Sequence, residues 1–305
     1  MKAFDKIVLV TWKTRLARLV ERFNSRGQAR FYIEHAGGDF NDYVREDDSY
    51  QRARERILKT VPGDLKMQEL PRDLLSTFLI TPRDVVVTLG GNGLVVNTAK
   101  YVGEQPIVAV NPEPARFDTV LLPYRAEQVP ATLDQLLLGR THERRVSMAQ
   151  VTTGDGQVLR AFNDVFVGCR THGSARYRLR EERQSSSGII ISTGAGSSGW
   201  LSSCFNMAAS LAAAFGGQAP APMHLSWDDR RLVYVVREPF VKRGVSARDT
   251  AGVVGEGETL EIESLMPSEG VVFTDGVESD FVAFNAGTVL RISCTAHQAH
   301  LVWPP

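Results

Sequence analysis

Four residues, Gly90-Gly91-Asn92-Gly93, bring together the types and spacing that bind an anion. Glycines let backbone N–H groups approach a phosphate with no Cβ in the way, and a helix starting behind them favours negative charge through its dipole. Asn92 adds a carboxamide, which forms hydrogen bonds but cannot take up a proton near pH 7 as a carboxylate does. Farther along, Arg176, Arg178 and Arg180 alternate. On a strand they project from one face, toward either a polyphosphate or solvent. His297 and His300 are spaced to lie on opposite faces of a strand, and no zinc or calcium spacing occurs elsewhere.

The elements that position the glycines are readable from hydrophobic period. Val85-Val86-Val87-Thr88-Leu89 reads as a buried strand, and residues 94–101 read as the helix behind the loop. Upstream, 7–11 reads as a strand, and Leu16, Leu19, Val20 and Phe23 share one helical face. Residues 38–60 are charged around Tyr50, Ala53 and Ile57, which predicts a solvent-facing helix ending before Pro62. A helical stretch over 73–79 and a strand over 107–110 complete an alternation that implies a parallel sheet with covering helices. Beyond Arg145 the pattern changes to short β-rich runs at 146–151, 165–169, 177–179, 189–192, 232–236, 260–264, 271–273 and 289–293. One helix interrupts them over 200–215, followed by a loop over 216–222. The strand pattern at the end leaves only a short segment, or none, to return to the first domain.

On these elements a resemblance is visible. Asp84 followed by Gly90-Gly91-Asn92-Gly93 resembles the GGDG loop of the NAD kinase and diacylglycerol kinase superfamily, with asparagine in the aspartate position. Ala161-Phe162-Asn163-Asp164-Val165 resembles the Asn-Glu motif of NAD kinases, with Asp for Glu, and Thr193 to Trp200 resembles the second glycine-rich loop of that family. Lys13-Thr14-Arg15, Val110-Asn111-Pro112-Glu113-Pro114, Ser174-Ala175-Arg176-Tyr177, Arg237-Glu238-Pro239 and Asp275-Gly276 are similar to the mitochondrial-type NAD kinases and their bacterial relatives.

The resemblance implies an N-terminal three-layer α/β domain with a parallel sheet over residues 1–144 and a C-terminal β-rich, dinucleotide-binding domain over 145–305. It implies transfer of the γ-phosphoryl group of ATP, carried with Mg²⁺, to the adenosine ribose 2′-hydroxyl of NAD. Gly90, Gly91, Gly93 and Arg176 would then hold phosphate. Asn163, Asp164, Ser192, Thr193, Gly196, Ser197, Ser198 and Trp200 would hold the dinucleotide, Asn163 suiting the adenine edge and Asp164 a ribose hydroxyl. Asn92 occupies the position of the family's catalytic aspartate, and Asp164 and Asp275 are alternative bases. Three readings stay open: an NAD kinase with a relocated base, a dinucleotide-binding sensor without transfer, and a kinase for another hydroxyl. Homodimers are expected from the same branch.

Composition fits without deciding among these. In 305 residues, 43% are hydrophobic, enough for two cores, while Lys plus Arg and Asp plus Glu both total 35. That balance favours neither nucleic acid nor an anionic membrane as partner. Cys169, Cys204 and Cys294 form no Cys-x-x-Cys pair, and neither a signal-peptide core nor a long apolar run is present, which leads to the expectation of a reduced, cytoplasmic protein.

Overall fold

The computed structural model describes residues 4–60, 62, 65–116, 119–241 and 247–305. The chain divides into two compact units, one of residues 1–144 with 300–305 and one of 145–299. The expectation that everything beyond 145 belongs to the second unit is therefore corrected at the end of the chain, where six residues return to the first.

In the first unit the order is β1 (Lys6–Thr11), α1 (Arg15–Phe23), α2 (Arg26–His35), α3 (Phe40–Lys59), β2 (Lys66–Pro71), β3 (Asp84–Leu89), α4 (Asn92–Ala99), β4 (Pro106–Asn111), β5 (Tyr124–Arg125) and α5 (Val129–Leu137). The strands pair in parallel as β2-β1-β3-β4, with Thr11 opposite both Pro71 and Leu89. Every residue of β3 and β4 is buried, as parallel strands covered on both faces require. Tyr50, Ala53 and Ile57 of α3 and Val129, Leu133 and Leu136 of α5 pack with Ile7, Leu9, Val85 and Val87 in one core. The charged surface of α3 is not simply solvated: Arg15 of α1 binds Asp42 at 3.0 Å and also Glu46, and Arg54 grips Glu69 of β2 through two hydrogen bonds. Thr14 caps α1 by accepting the Ala17 N–H at 3.1 Å, and Asn24 ends it in the left-handed region at φ 59°.

In the second unit come β6 (His142–Thr153, beginning just before the boundary), β7 (Val158–Ala161), β8 (Asp164–Cys169), β9 (Ala175–Leu179), β10 (Glu182–Ser186), β11 (Ile189–Ser192), α6 (Trp200–Phe215), β12 (Leu232–Val236), β13 (Ala251–Val254), β14 (Leu260–Ser264), β15 (Gly270–Thr274), β16 (Val282–Ala283) and β17 (Val289–Trp303). One sheet runs β13-β12-β11-β8-β15-β16, all antiparallel, and another contains β10-β9-β14-β17. Val165, Val167, Ile189, Ile191 and Val272 from the first meet Tyr177, Leu179, Ile262 and Leu290 from the second in one core. The unit is thus a sandwich whose strands alternate inward apolar residues with outward ones. At its far end β17 enters the first unit, where His300 and Leu301 pair in parallel with Pro106 and Ile107.

Candidate functional site

In the first unit the glycine loop lies where β3 ends. Gly90 is buried, its N–H bonds the Val110 carbonyl at 3.3 Å, and a Cβ on it would lie 2.9 Å from Leu94 Cδ2. Gly90 therefore shapes the turn instead of presenting its amide. Gly91 and Gly93 are exposed, with nothing within 4 Å of an added Cβ. Gly91 is the N-cap of α4, no side chain caps the helix, and its first turn holds no acid. Among the described residues the N–H groups of Gly91, Asn92 and Gly93 have no hydrogen-bond acceptor, while that of Leu94 bonds the Gly91 carbonyl at 2.9 Å, and orphan donors at a helix start are the physical requirement for anion binding. Asn92 is exposed at the first helical position, and its side chain makes no hydrogen bond with the described residues.

Beside this loop, at the same strand edge, Trp12 follows β1, and its Cβ would be 3.5 Å from a Cβ on Gly90. Trp12 has two guanidinium groups over its ring, Arg18 at 5.2 Å and Arg72 at 4.9 Å. A cavity of about 400 Å³ here is lined by Trp12, Lys13, Arg18, Arg54, Glu69, Arg72 and Asp73 among others. Sequence reasoning missed Trp12, Arg18 and Arg72, although the open carboxyl ends of parallel strands are where α/β sheets bind ligands. Lys13-Thr14-Arg15 is largely committed to structure: Lys13 pairs with Glu21 at 2.8 Å, Thr14 donates to Asp47 at 2.6 Å, and Arg15 pins α1 to α3. Asp84 sits at the opposite end of β3 from the glycines and anchors it, accepting the Thr81 N–H at 2.8 Å and pairing with Lys6 at 3.4 Å.

In the second unit the Asn163-Asp164 loop and the 193–198 loop pack on each other. Asp275, in the left-handed region at φ 55°, accepts the backbone N–H groups of Phe162 at 3.1 Å, Asn163 at 2.7 Å and Asp164 at 3.2 Å. With both carboxylate oxygens receiving backbone donors, Asp275 acts as a clamp, not as a base waiting for a proton. Thr193 donates to the Phe162 carbonyl at 2.6 Å and Ser197 to the Gly194 carbonyl at 2.7 Å. Gly196 permits the contact, since a Cβ there would lie 2.2 Å from the Asn163 carbonyl oxygen. The hydroxyls of Ser192, Thr193 and Ser197 are therefore spent within the protein. The side chains of Asn163 and the exposed Ser198 remain without a hydrogen bond among the described residues.

Asp164 is the most unusual group. It is 9% exposed, faces Ser192 across the β8–β11 pair, and its Oδ1 is buried with no hydrogen-bond partner. Burial pushes its carboxyl up to about 7, the Asp275 charge adds to this, and hydrogen bonding with Ser192 opposes it. A carboxyl half-ionised near neutrality is matched to proton transfer there.

The last two predicted residues are Trp200, which packs beside Phe166 on the face of β8 that also carries Asp164, and Arg176. Trp200 stacks on Phe166 at 5.6 Å and 14°, with Arg237 5.6 Å from its ring centroid. It lines a cavity of about 580 Å³ with Arg170, His172 and Phe281. Arg176 is exposed on β9, opposite in direction to Ala175 and Tyr177, which enter the core between the sheets, whereas Asp164 begins β8 of the other sheet. Its neighbour Arg178 pairs with Glu263 at 2.5 Å. Among the described residues, no group of three His, Cys, Asp or Glu is placed to hold a metal ion, and no helix is long and apolar enough to cross a membrane.

A parallel α/β unit ending in a glycine loop, joined to a β-sandwich unit with a buried acid, defines a two-unit α/β plus β class of protein. Within that class the fold is the NAD kinase fold. Yeast NADH kinase, solved with NADH, matches with a TM-score of 0.56 at 15% identity over 100% of this chain and 85% of that one. An NAD kinase from Archaeoglobus fulgidus, solved with ATP, matches with a TM-score of 0.53 at 17% identity over 97% and 93%. No family model and no curated protein matches the sequence.

Proposed function

We propose that the chain is an NAD kinase-like phosphotransferase of the mitochondrial-type branch, moving the γ-phosphoryl group of ATP to the adenosine ribose 2′-hydroxyl of NAD. The observation that carries this reading is the buried Asp164 carboxyl with its orphan oxygen, held in an NAD kinase fold that also has an uncapped helix start at Gly91 to Gly93. In the proposed step Asp164 takes the proton of the ribose hydroxyl, the freed oxygen bonds to the γ-phosphorus, and the bond to the β–γ bridging oxygen breaks with its electrons leaving on ADP. In the second unit Asn163 and Ser198 read the nucleoside, and the first unit by itself offers the N–H groups of Gly91, Asn92 and Gly93 to an anion. Mg²⁺ arrives on the triphosphate and neutralises part of its charge. Assembly as a homodimer, a cytoplasmic location, and nucleotides in place of nucleic acid or membrane as partners belong to the same proposal.

Asn92 favours a second reading, a dinucleotide sensor that binds without transfer, because it removes the carboxylate from the loop. Single-turnover NADP formation with ATP, Mg²⁺ and NAD, run beside calorimetric NAD binding on a mass-verified sample, separates the two. NADP in proportion to intact Asn92 protein supports the kinase. Binding without NADP makes the chain a sensor, and no binding of NAD defeats both and points to another hydroxyl substrate.

A further inference from the structure

Helix α6 exposes an apolar stripe. Its first turns face inward, Trp200 and Cys204 packing on Phe166 and Phe273, Leu201 and Phe205 on Leu225 and Val233. Beyond them Met207, Leu211 and Phe215 are 47, 53 and 84% exposed. These recur every fourth residue, so they form a single ridge along one side of the helix, with alanines between. Only Leu201 of the helix is fully buried. A helix this apolar normally buries its apolar face.

We propose that this ridge is where two copies of the chain associate, helix against helix across a two-fold axis. Charge selects the occupant. No Asp, Glu, Lys or Arg occurs between Arg183 and Asp228, although charged residues make up 23% of the chain. A second copy therefore meets this surface with no like-charge repulsion and no ion to desolvate, the self-complementarity a two-fold interface requires. A charged partner would find nothing to pair with. A bilayer surface is recognised by helices with lysines and arginines on the polar face, and α6 has none. Shape agrees, since ridges spaced by four residues seat in the shallow grooves that alanines leave. The area is also decisive about extent. A standard interface buries roughly 800 Å² per partner, and a helix of this length, about 24 Å by 10–12 Å, presents less. Residues 216–222 continue from the helix, all exposed and uncharged, and extend the patch. This inference gives the proposed homodimer a surface, and it stands independently of the phosphotransfer reading.

Light scattering on the full chain after size exclusion, over a wide range of concentration, tests it. The parent is expected at twice 33.6 kDa, and Leu211→Glu and Phe215→Glu at 33.6 kDa. Both positions are exposed, so circular dichroism keeps the parental spectrum, while the urea midpoint rises with protein concentration in the parent and not in the variants. Phe31→Glu, a control on α2 at a residue 62% exposed, leaves the dimer intact. A parent that is monomeric at every concentration overturns the proposal. So does a parent that floats with phosphatidylcholine vesicles as a monomer. A dimer that survives both glutamates overturns this interface while leaving the homodimer itself in place.

Discussion

The Asp275 carboxylate accepts the Asn163 backbone N–H at 2.7 Å across 112 residues of sequence. This bond, with those to Phe162 and Asp164, fixes the loop that carries the candidate base. Asp275→Asn tests its weight cleanly, because asparagine tolerates the same left-handed backbone but offers one acceptor and an opposing N–H₂ group. A loss of about 2–4 kcal/mol is expected from charge-assisted bonds broken at a partly buried site. Urea denaturation measures it, and a parental midpoint would remove the clamp from the account.

Asp164 gives stability a pH dependence of definite sign. Folded, it keeps its proton up to about 7; unfolded, it releases it near about 3.9. Between those values the folded chain binds more protons than the unfolded one, so this group's contribution falls as pH rises from about 4 to about 7 and is flat above. The full change is at most roughly 4 kcal/mol. Asp164→Asn is expected to flatten that part of the pH profile of the melting temperature. If Asp164 is the base, kcat rises with pH through about 7 in the parent, and the variant loses roughly 10²- to 10⁴-fold in rate while still binding NAD.

Glycine substitutions separate shape from ligand contact. Gly194→Ala and Gly196→Ala drive a Cβ to 1.9 Å from the Ser226 carbonyl oxygen and 2.2 Å from that of Asn163, so both are expected to destabilise the chain by several kcal/mol. Gly91→Ala meets nothing within 4 Å. It is expected to melt like the parent yet bind ATP at least about tenfold more weakly, since the methyl occupies space that a phosphate needs. Thermal melts and calorimetry on the same samples compare them, and equal ATP affinity in Gly91→Ala would take the phosphate away from this loop.

Restoring the acid at Asn92 distinguishes the functional readings. Asn92→Asp places a carboxylate at the first position of a helix that no side chain caps, which favours the fold by about 0.3–1 kcal/mol. For a kinase or a sensor of NAD, NADP formation is expected to rise roughly 10- to 100-fold toward the range of general-base catalysis. For a kinase of another hydroxyl it stays unchanged. Intact mass must accompany the assay, because glycine after Asn92 leaves the amide open to attack by the next backbone nitrogen and can convert it to aspartate.

The sequence by itself determined the class of fold and the local architecture of the loops. The buried run before the glycines and the helical spacing after them are local periodicities, and both appear as β3 and α4. Weakly patterned elements escaped: α2 buries only Ala29 and Ile33, and β2 is an edge strand ending in Pro71 with one buried residue. Only the tertiary structure decided which polar groups are spent and which are available. That Asp275 holds a loop 112 residues away, that Arg18 and Arg72 flank Trp12, and that Arg176 points away from the sandwich core are facts of long-range pairing. Such contacts leave no period in the chain. The same holds for Asp164, whose residue type was legible at once, while the burial that raises its carboxyl to about 7 exists only after β8, β11 and Asp275 close around it.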